Sequence, residues 1–182
     1  MGNSIHAMKP LLITSLSSNY SENKLLELIQ KLKYRMSPCP IDDPIIELLE
    51  IKDQKLVPLL IEALKSQEHN IRFGAVRALG ILEDKRAIVP LIELLKDEDR
   101  YVRATAANAL KRFKDIRAVK PLIECLNDEA SEVSRSAAIT LGWIDSKEAI
   151  DALKNLVANK NQGNKTTQIA AEAMLRRLNT TI

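Results

Sequence analysis

Apolar residues recur at i, i+3 and i+4 along most of this chain, and from residue 53 onward the pattern itself recurs every 31 residues. The stretch from Asp84 to Lys114 shows the unit most clearly. Ile88, Leu91, Ile92, Leu94 and Leu95 mark one helix face, and Val102, Ala106, Ala109, Leu110 and Phe113 mark a second. Small residues in the second stripe allow a neighbouring helix to come close. Between the two lies Lys96-Asp97-Glu98-Asp99, a polar turn whose acids suit the positive end of the helix that follows.

Shifting the chain by 31 residues aligns Val57, Ile88, Val119 and Ile150, then Leu60, Leu91, Leu122 and Leu153. In the second helix it aligns Ala75, Ala106 and Ala137, and Leu79, Leu110 and Leu141. A fixed period of about 20 to 50 residues is the signature of stacked repeats. The spacing predicts an all-α, right-handed α-solenoid of about five helical hairpins, over 19–52, 53–83, 84–114, 115–145 and 146–179. These form one domain behind a flexible segment, 1–18. The first hairpin is degenerate, with one helix inside 19–36 and another starting at Pro44 after the cap Asp43. In the last, helices are expected over 147–158 and 166–178, joined by a loop three residues longer than its counterparts.

Apolar residues make up 46% of the chain and aromatics 3%, so the core is aliphatic, which suits packed helices better than a sheet. The net charge of +3 is far from that of a dedicated nucleic-acid binder. It is also uneven, with bases in excess between 84 and 114 and acids in excess between 115 and 145. Two cysteines make no disulfide framework. Cys125 falls in the core column of Ala63, Leu94 and Leu156, whereas Cys39 lies between Pro38 and Pro40, outside regular helix. No secretory leader or membrane span is legible, so a cytoplasmic protein is expected.

Recognition residues are sought where the repeat varies. One second-helix column holds Phe73, Ala104 and Arg135, another Arg77, Asn108, Ile139 and Ala173, and a third Ile81, Arg112, Trp143 and Arg177; Asn70, Tyr101 and Glu132 align at the helix starts. The candidate binding face is therefore Phe73, Arg77, Tyr101, Asn108, Arg112, Arg135, Ile139, Trp143 and Arg177. Aromatic anchors among arginines are usual in binding hot spots; the alternative is a solvated face with incidental aromatics. Arg72 and Arg103 also recur, as do Asp53, Asp84 and Asp115, and a structural pairing of helix arginine with repeat-junction aspartate is expected. Gly80 and Gly142 are expected to permit close packing. No nucleophile with a base and no phosphate loop is evident, so no catalytic residue is assigned.

The run Arg86-Ala87-Ile88-Val89-Pro90-Leu91-Ile92-Glu93-Leu94-Leu95, with Val102-Arg103 and Ala106-Ala107-Asn108-Ala109-Leu110 after it, resembles the HEAT-like repeats first associated with phycobilisome lyases. The resemblance covers 53–178 well and 19–52 loosely. It implies a scaffold that binds a partner protein in a concave groove, most specifically a phycobilin lyase subunit or phycobiliprotein chaperone. A bilin would then be a transferred ligand, its propionates on Arg112, Arg135 and Arg177, its pyrroles on Tyr101 and Trp143. The client, a phycobiliprotein subunit, would supply the cysteine that attacks the vinyl side chain, and a second HEAT-repeat subunit could complete the solenoid. Deoxyhypusine hydroxylase, a di-iron enzyme of similar repeats, has His-Glu pairs where this chain reads Arg72-Phe73-Gly74-Ala75, so no metal site is expected. The long loop, Asn159-Lys160-Asn161-Gln162-Gly163-Asn164, is similar to an Asn-x-x-Gln-Gly-Asn motif of bilin lyase-isomerase subunits. Lys160 and Asn161 replace the His and Cys of that motif, and a polar turn with Gly163 at positive φ is the alternative. Asn159, Gln162, Gly163 and Asn164 are the loop candidates. Two other readings stand beside the lyase: a pigment-free adaptor for peptides or folded domains, and a DNA-binding HEAT-like protein, which Glu132 and the acidic 115–145 unit disfavour.

Overall fold

The computed structural model describes residues 22–32, 56–159 and 164–178. Segment 1–18, Cys39, the helix expected from Pro44, and the loop candidates Gln162 and Gly163 lie outside them. The described residues form α1 (Glu22–Lys31), α2 (Leu56–Ala63), α3 (His69–Leu82), α4 (Ile88–Glu93), α5 (Arg100–Phe113), α6 (Val119–Cys125), α7 (Ser131–Ile144), α8 (Lys147–Ala158) and α9 (Lys165–Arg177). No strand occurs among them, and the paired helices repeat as the 31-residue period predicts: the fold is an α-solenoid.

The aligned columns are the core. Leu60, Leu91, Leu122 and Leu153 are fully buried, as are Ala75, Ala106, Ala137 and Ala171, and Leu79, Leu110, Leu141 and Leu175. Each such leucine contributes roughly 2 kcal/mol relative to an exposed one.

Two local rules shape each hairpin. Pro90 and Pro121 share a column, and a proline has no N–H to offer the carbonyl four residues back. The chain ahead of each winds instead as a tighter 3-10 turn, Lys85–Ala87 and Ile116–Ala118, before α4 and α6 begin. Ala152 fills that column in the last repeat, and α8 runs unbroken for 12 residues from its cap Ser146, whose Oγ accepts from the Ala149 amide. At the other end α3, α5 and α7 stop at left-handed residues 31 apart, Glu83 (φ 53°), Lys114 (φ 48°) and Asp145 (φ 57°). Asp99 caps α5, accepting from the amides of Tyr101 (2.8 Å) and Val102 (3.1 Å), as the acidic turn predicts.

The described residues fall into two compact units, up to Ala87 and from Ile88. In the first, α1 packs on α2 and α3, and Gly74 gives Leu32 its place: a Cβ there would lie 2.9 Å from Leu32 Cβ. In the second, α5, α7 and α9 lie side by side, with α6 and α8 packed behind α7 and α9. The Thr140 hydroxyl donates to the Ala107 carbonyl across the α5–α7 seam at 2.8 Å. Gly142 opens the α7–α9 seam, as expected, since a Cβ there would lie 2.5 Å from Met174 Cβ.

The arginine ladder is built differently from its expected form. Arg103 does not reach Asp84 or Asp115; it forms a bidentate pair with Asp128 (2.8 and 2.9 Å) and donates to the Asp97 and Glu98 carbonyls. Arg72 donates to the Ser66 and Gln67 carbonyls. The junction aspartates are taken locally, Asp84 by Arg86 and Asp115 by Arg117, because a guanidinium two residues away reaches them within one 3-10 turn. In the next place of the arginine column stands Ser134, and the ion pair gives way to a neutral network. Its hydroxyl lies 2.7 Å from Thr167 Oγ1 and accepts from Asn164 Nδ2 at 2.9 Å.

Gly142→Ala is expected to cost about 1–3 kcal/mol, because Met174 Cβ is too near its own backbone to swing aside. Asp128→Ala, which leaves a buried guanidinium only two carbonyls and a longer contact with the exposed Glu129 (3.6 Å), should cost about 3 kcal/mol. Urea unfolding of the two variants checks both.

Candidate functional site

The variable columns map to the outward face of the second helices. Tyr101 and Trp143 are 37% and 38% exposed, large values for aromatic rings, and Asn108, Arg112, Arg135 and Arg177 are exposed around them. Ile139 is half-buried on the same face of α7. Phe73 and Arg77 belong to the first unit, where both are half-buried and the guanidinium carbon stands 6.0 Å from the ring centroid.

In the second unit the aromatic residues do not form one continuous stacking surface. Tyr101 is partnered by its own neighbour Arg100, whose guanidinium lies 4.9 Å from the ring and donates to the phenol oxygen at 3.0 Å. The same arginine crosses to Glu132 on α7 at 3.3 Å, so its charge is already offset. Trp143 sits where α5, α7 and α9 end. Arg177 lies 4.5 Å from its ring centroid and Lys114 5.5 Å, and Arg177 also donates to the Gly142 carbonyl.

Arg177 was legible in the sequence because it shares the column of Trp143 one repeat on. Arg100, Lys114 and Glu132 complete these stations, and all three fall outside the candidate set. Lys114 is the left-handed residue after α5, where helical periodicity no longer says which way a side chain points. The clue to it was positional, the column Glu83, Lys114 and Asp145 closing each second helix.

Asn164 serves the fold: its Oδ1 accepts from the Thr167 amide at the start of α9 while Nδ2 reaches Ser134. Asn159 is exposed beyond α8, and its carbonyl accepts from Gln168 Nε2 at 3.5 Å. A shallow groove of about 750 Å³ opens on the first-helix side, between α6 and α8, with Ile123, Leu126, Ala152 and Leu156 in its floor. Apart from Asn159, none of the candidate residues lines it.

The sulfur of Cys125 is buried against the Leu95 carbonyl, as its core column predicts. Burial, with the negative charges of Asp128 and Glu124, pushes its thiol up to about 11. It is thus a protonated, inert thiol at neutral pH. Among the described residues no group of three or more His, Cys, Asp or Glu side chains is placed to hold a metal ion, and no helix is long and apolar enough to cross a membrane.

Residues 44–99 and 88–176 match the HEAT repeats family. The chain belongs to this family. A chain of the CpcE–CpcF complex of phycocyanin lyase from Nostoc sp. PCC7120 has a similar HEAT fold, with a TM-score of 0.71 and 18% identity over 85% of this chain and 99% of that one. Human deoxyhypusine hydroxylase is similar at a TM-score of 0.58 and 19% identity; the match covers 85% of this chain but only 62% of the enzyme. An engineered protein is similar at 0.52 and 23%, over 92% of this chain and 76% of its own. At these identities the likeness is one of fold. No curated protein sequence matches the chain. What stands is a HEAT-repeat scaffold with a polar, aromatic face on its second helices.

Cys125 should resist a disulfide reagent at pH 8 in the native protein and react once urea unfolds it. Because its protonated form is the one the fold favours, its contribution to stability is present below pH 9 and is lost as pH rises toward about 11. Equilibrium unfolding of the protein and of Cys125→Ala between pH 7 and 11 measures that loss.

Proposed function

We propose that this HEAT scaffold docks a partner protein on its second-helix face and serves as a phycobilin lyase subunit or phycobiliprotein chaperone. The observation that carries the reading is Trp143, an exposed indole attended by two cations at the ends of three packed helices. A conjugated tetrapyrrole with propionate side chains offers what such a station takes: a flat π surface and anionic groups. The likeness in fold to nearly the whole of a phycocyanin lyase chain supports the same reading. Because that neighbour was solved as a CpcE–CpcF complex, a second HEAT-repeat subunit is part of the proposal.

In this reading the scaffold contributes position rather than a reacting group. Its buried Cys125 does not compete for the pigment. The client's thiol adds across a carbon–carbon double bond of the bilin: sulfur bonds to one carbon, the thiol proton ends on the other, and no oxidant is required. The second helices hold pigment and client so that these atoms meet.

Trp143 is the sole tryptophan, so its fluorescence reports on the site directly. Titration with phycocyanobilin should quench it saturably and induce circular dichroism in the pigment's visible band, and Trp143→Ala should abolish the induced signal with the fold retained. A flat titration sinks the pigment and leaves a protein adaptor, to be pursued by its binding partners.

A further inference from the structure

We infer that Lys114 and Arg177, gathered on Trp143, form the subsite for a carboxylate of the planar ligand; this rests on the pigment reading above and replaces the sharing of that role among Arg112, Arg135 and Arg177. The two cations approach one ring centroid at 5.5 and 4.5 Å, so their charges lie within about 10 Å of each other, a separation at which salt does not fully screen them. Both side chains are exposed, and among the described residues neither forms an ion pair with a carboxylate. The indole offsets part of their repulsion through its negative face. The remainder is met by solvent, which an anion can displace.

The other aromatic station of the second unit differs on this point. At Tyr101 the cation is Arg100, and Glu132 already answers it at 3.3 Å. Arg112 is engaged within the fold. Arg135 stands eight residues before Trp143 on α7, about 12 Å along the helix.

Geometry fixes Arg177 in advance and sets where Lys114 starts. Arg177 is tied down by its bond to the Gly142 carbonyl, which uses one nitrogen and leaves the rest of its donors. Lys114 starts from a left-handed residue whose backbone is set by the end of α5. A carboxylate between them draws the conjugated body of the ligand against the exposed part of the indole. Arg177 therefore has little ordering left to do on binding, the condition under which a charged contact adds to affinity.

The test compares phycocyanobilin with its dimethyl ester, reading Trp143 quenching in the full chain. The free acid should bind roughly tenfold more tightly than the ester. Lys114→Ala should bring the acid down to the level of the ester and leave the ester unchanged, and Arg177→Ala should do the same. Lys154→Ala, on the exposed side of α8, should keep the wild-type preference. Lys114 stands at an exposed helix end, so its variant decides the matter even if Arg177→Ala perturbs the α7–α9 seam. Equal binding of acid and ester by the wild-type protein overturns the carboxylate subsite while the pigment reading survives. Quenching by neither compound overturns both.

Discussion

How closely one second helix can approach the next is the constraint on which the second unit depends. Ala106, Ala107, Ala137, Ala138 and Ala171 are fully buried along the α5, α7 and α9 seams, and Gly142 has no room even for a methyl group. Small side chains bring helix axes near the short end of the usual 8–10 Å range, roughly, where backbone groups come within reach of a neighbour's side chain. The Thr140 bond to the Ala107 carbonyl and the Arg177 bond to the Gly142 carbonyl both depend on that closeness. The arrangement around Trp143 is in this sense a by-product of packing.

Most of the fold was legible because burial has a period. The leucine and alanine columns, the acidic cap before α5 and the unbroken last first-helix follow from residue type and spacing. The arginine ladder was half legible. A 31-residue shift says that Arg103 has a recurring role, but the aspartates fall in two columns of that period, 84 with 115 and 97 with 128, and the shift does not choose between them. The choice is made by reach: Arg86 and Arg117 sit two residues from the junction aspartates and leave Asp128 for the buried guanidinium. The candidate face was legible as columns and not as contacts. Lys114 escaped because helical phase ends one residue before it.

The ladder also changes character along the second unit. Arg103 holds its hairpin to the next with a charged, bidentate contact, whereas Ser134, Asn164 and Thr167 join the last hairpin through neutral hydrogen bonds. A short polar side chain replaces a long cation, and Asn164, the cap of α9, closes the network. Asn164 is accordingly understood through the helix it starts and the serine it meets.

Glu83, Lys114 and Asp145 end three helices with nearly the same backbone angles and three different side chains. Glycine would suit that backbone best, at a gain of about 1 kcal/mol in lost strain, and it would leave nothing projecting from the helix end. A side-chained residue there is a tether of fixed origin whose chemistry is set by one codon. Changing it alters what the helix end displays while the buried leucine and alanine columns stay as they are. The residues that build the stack and those displayed where its second helices end thus occupy separate positions in the same 31-residue line.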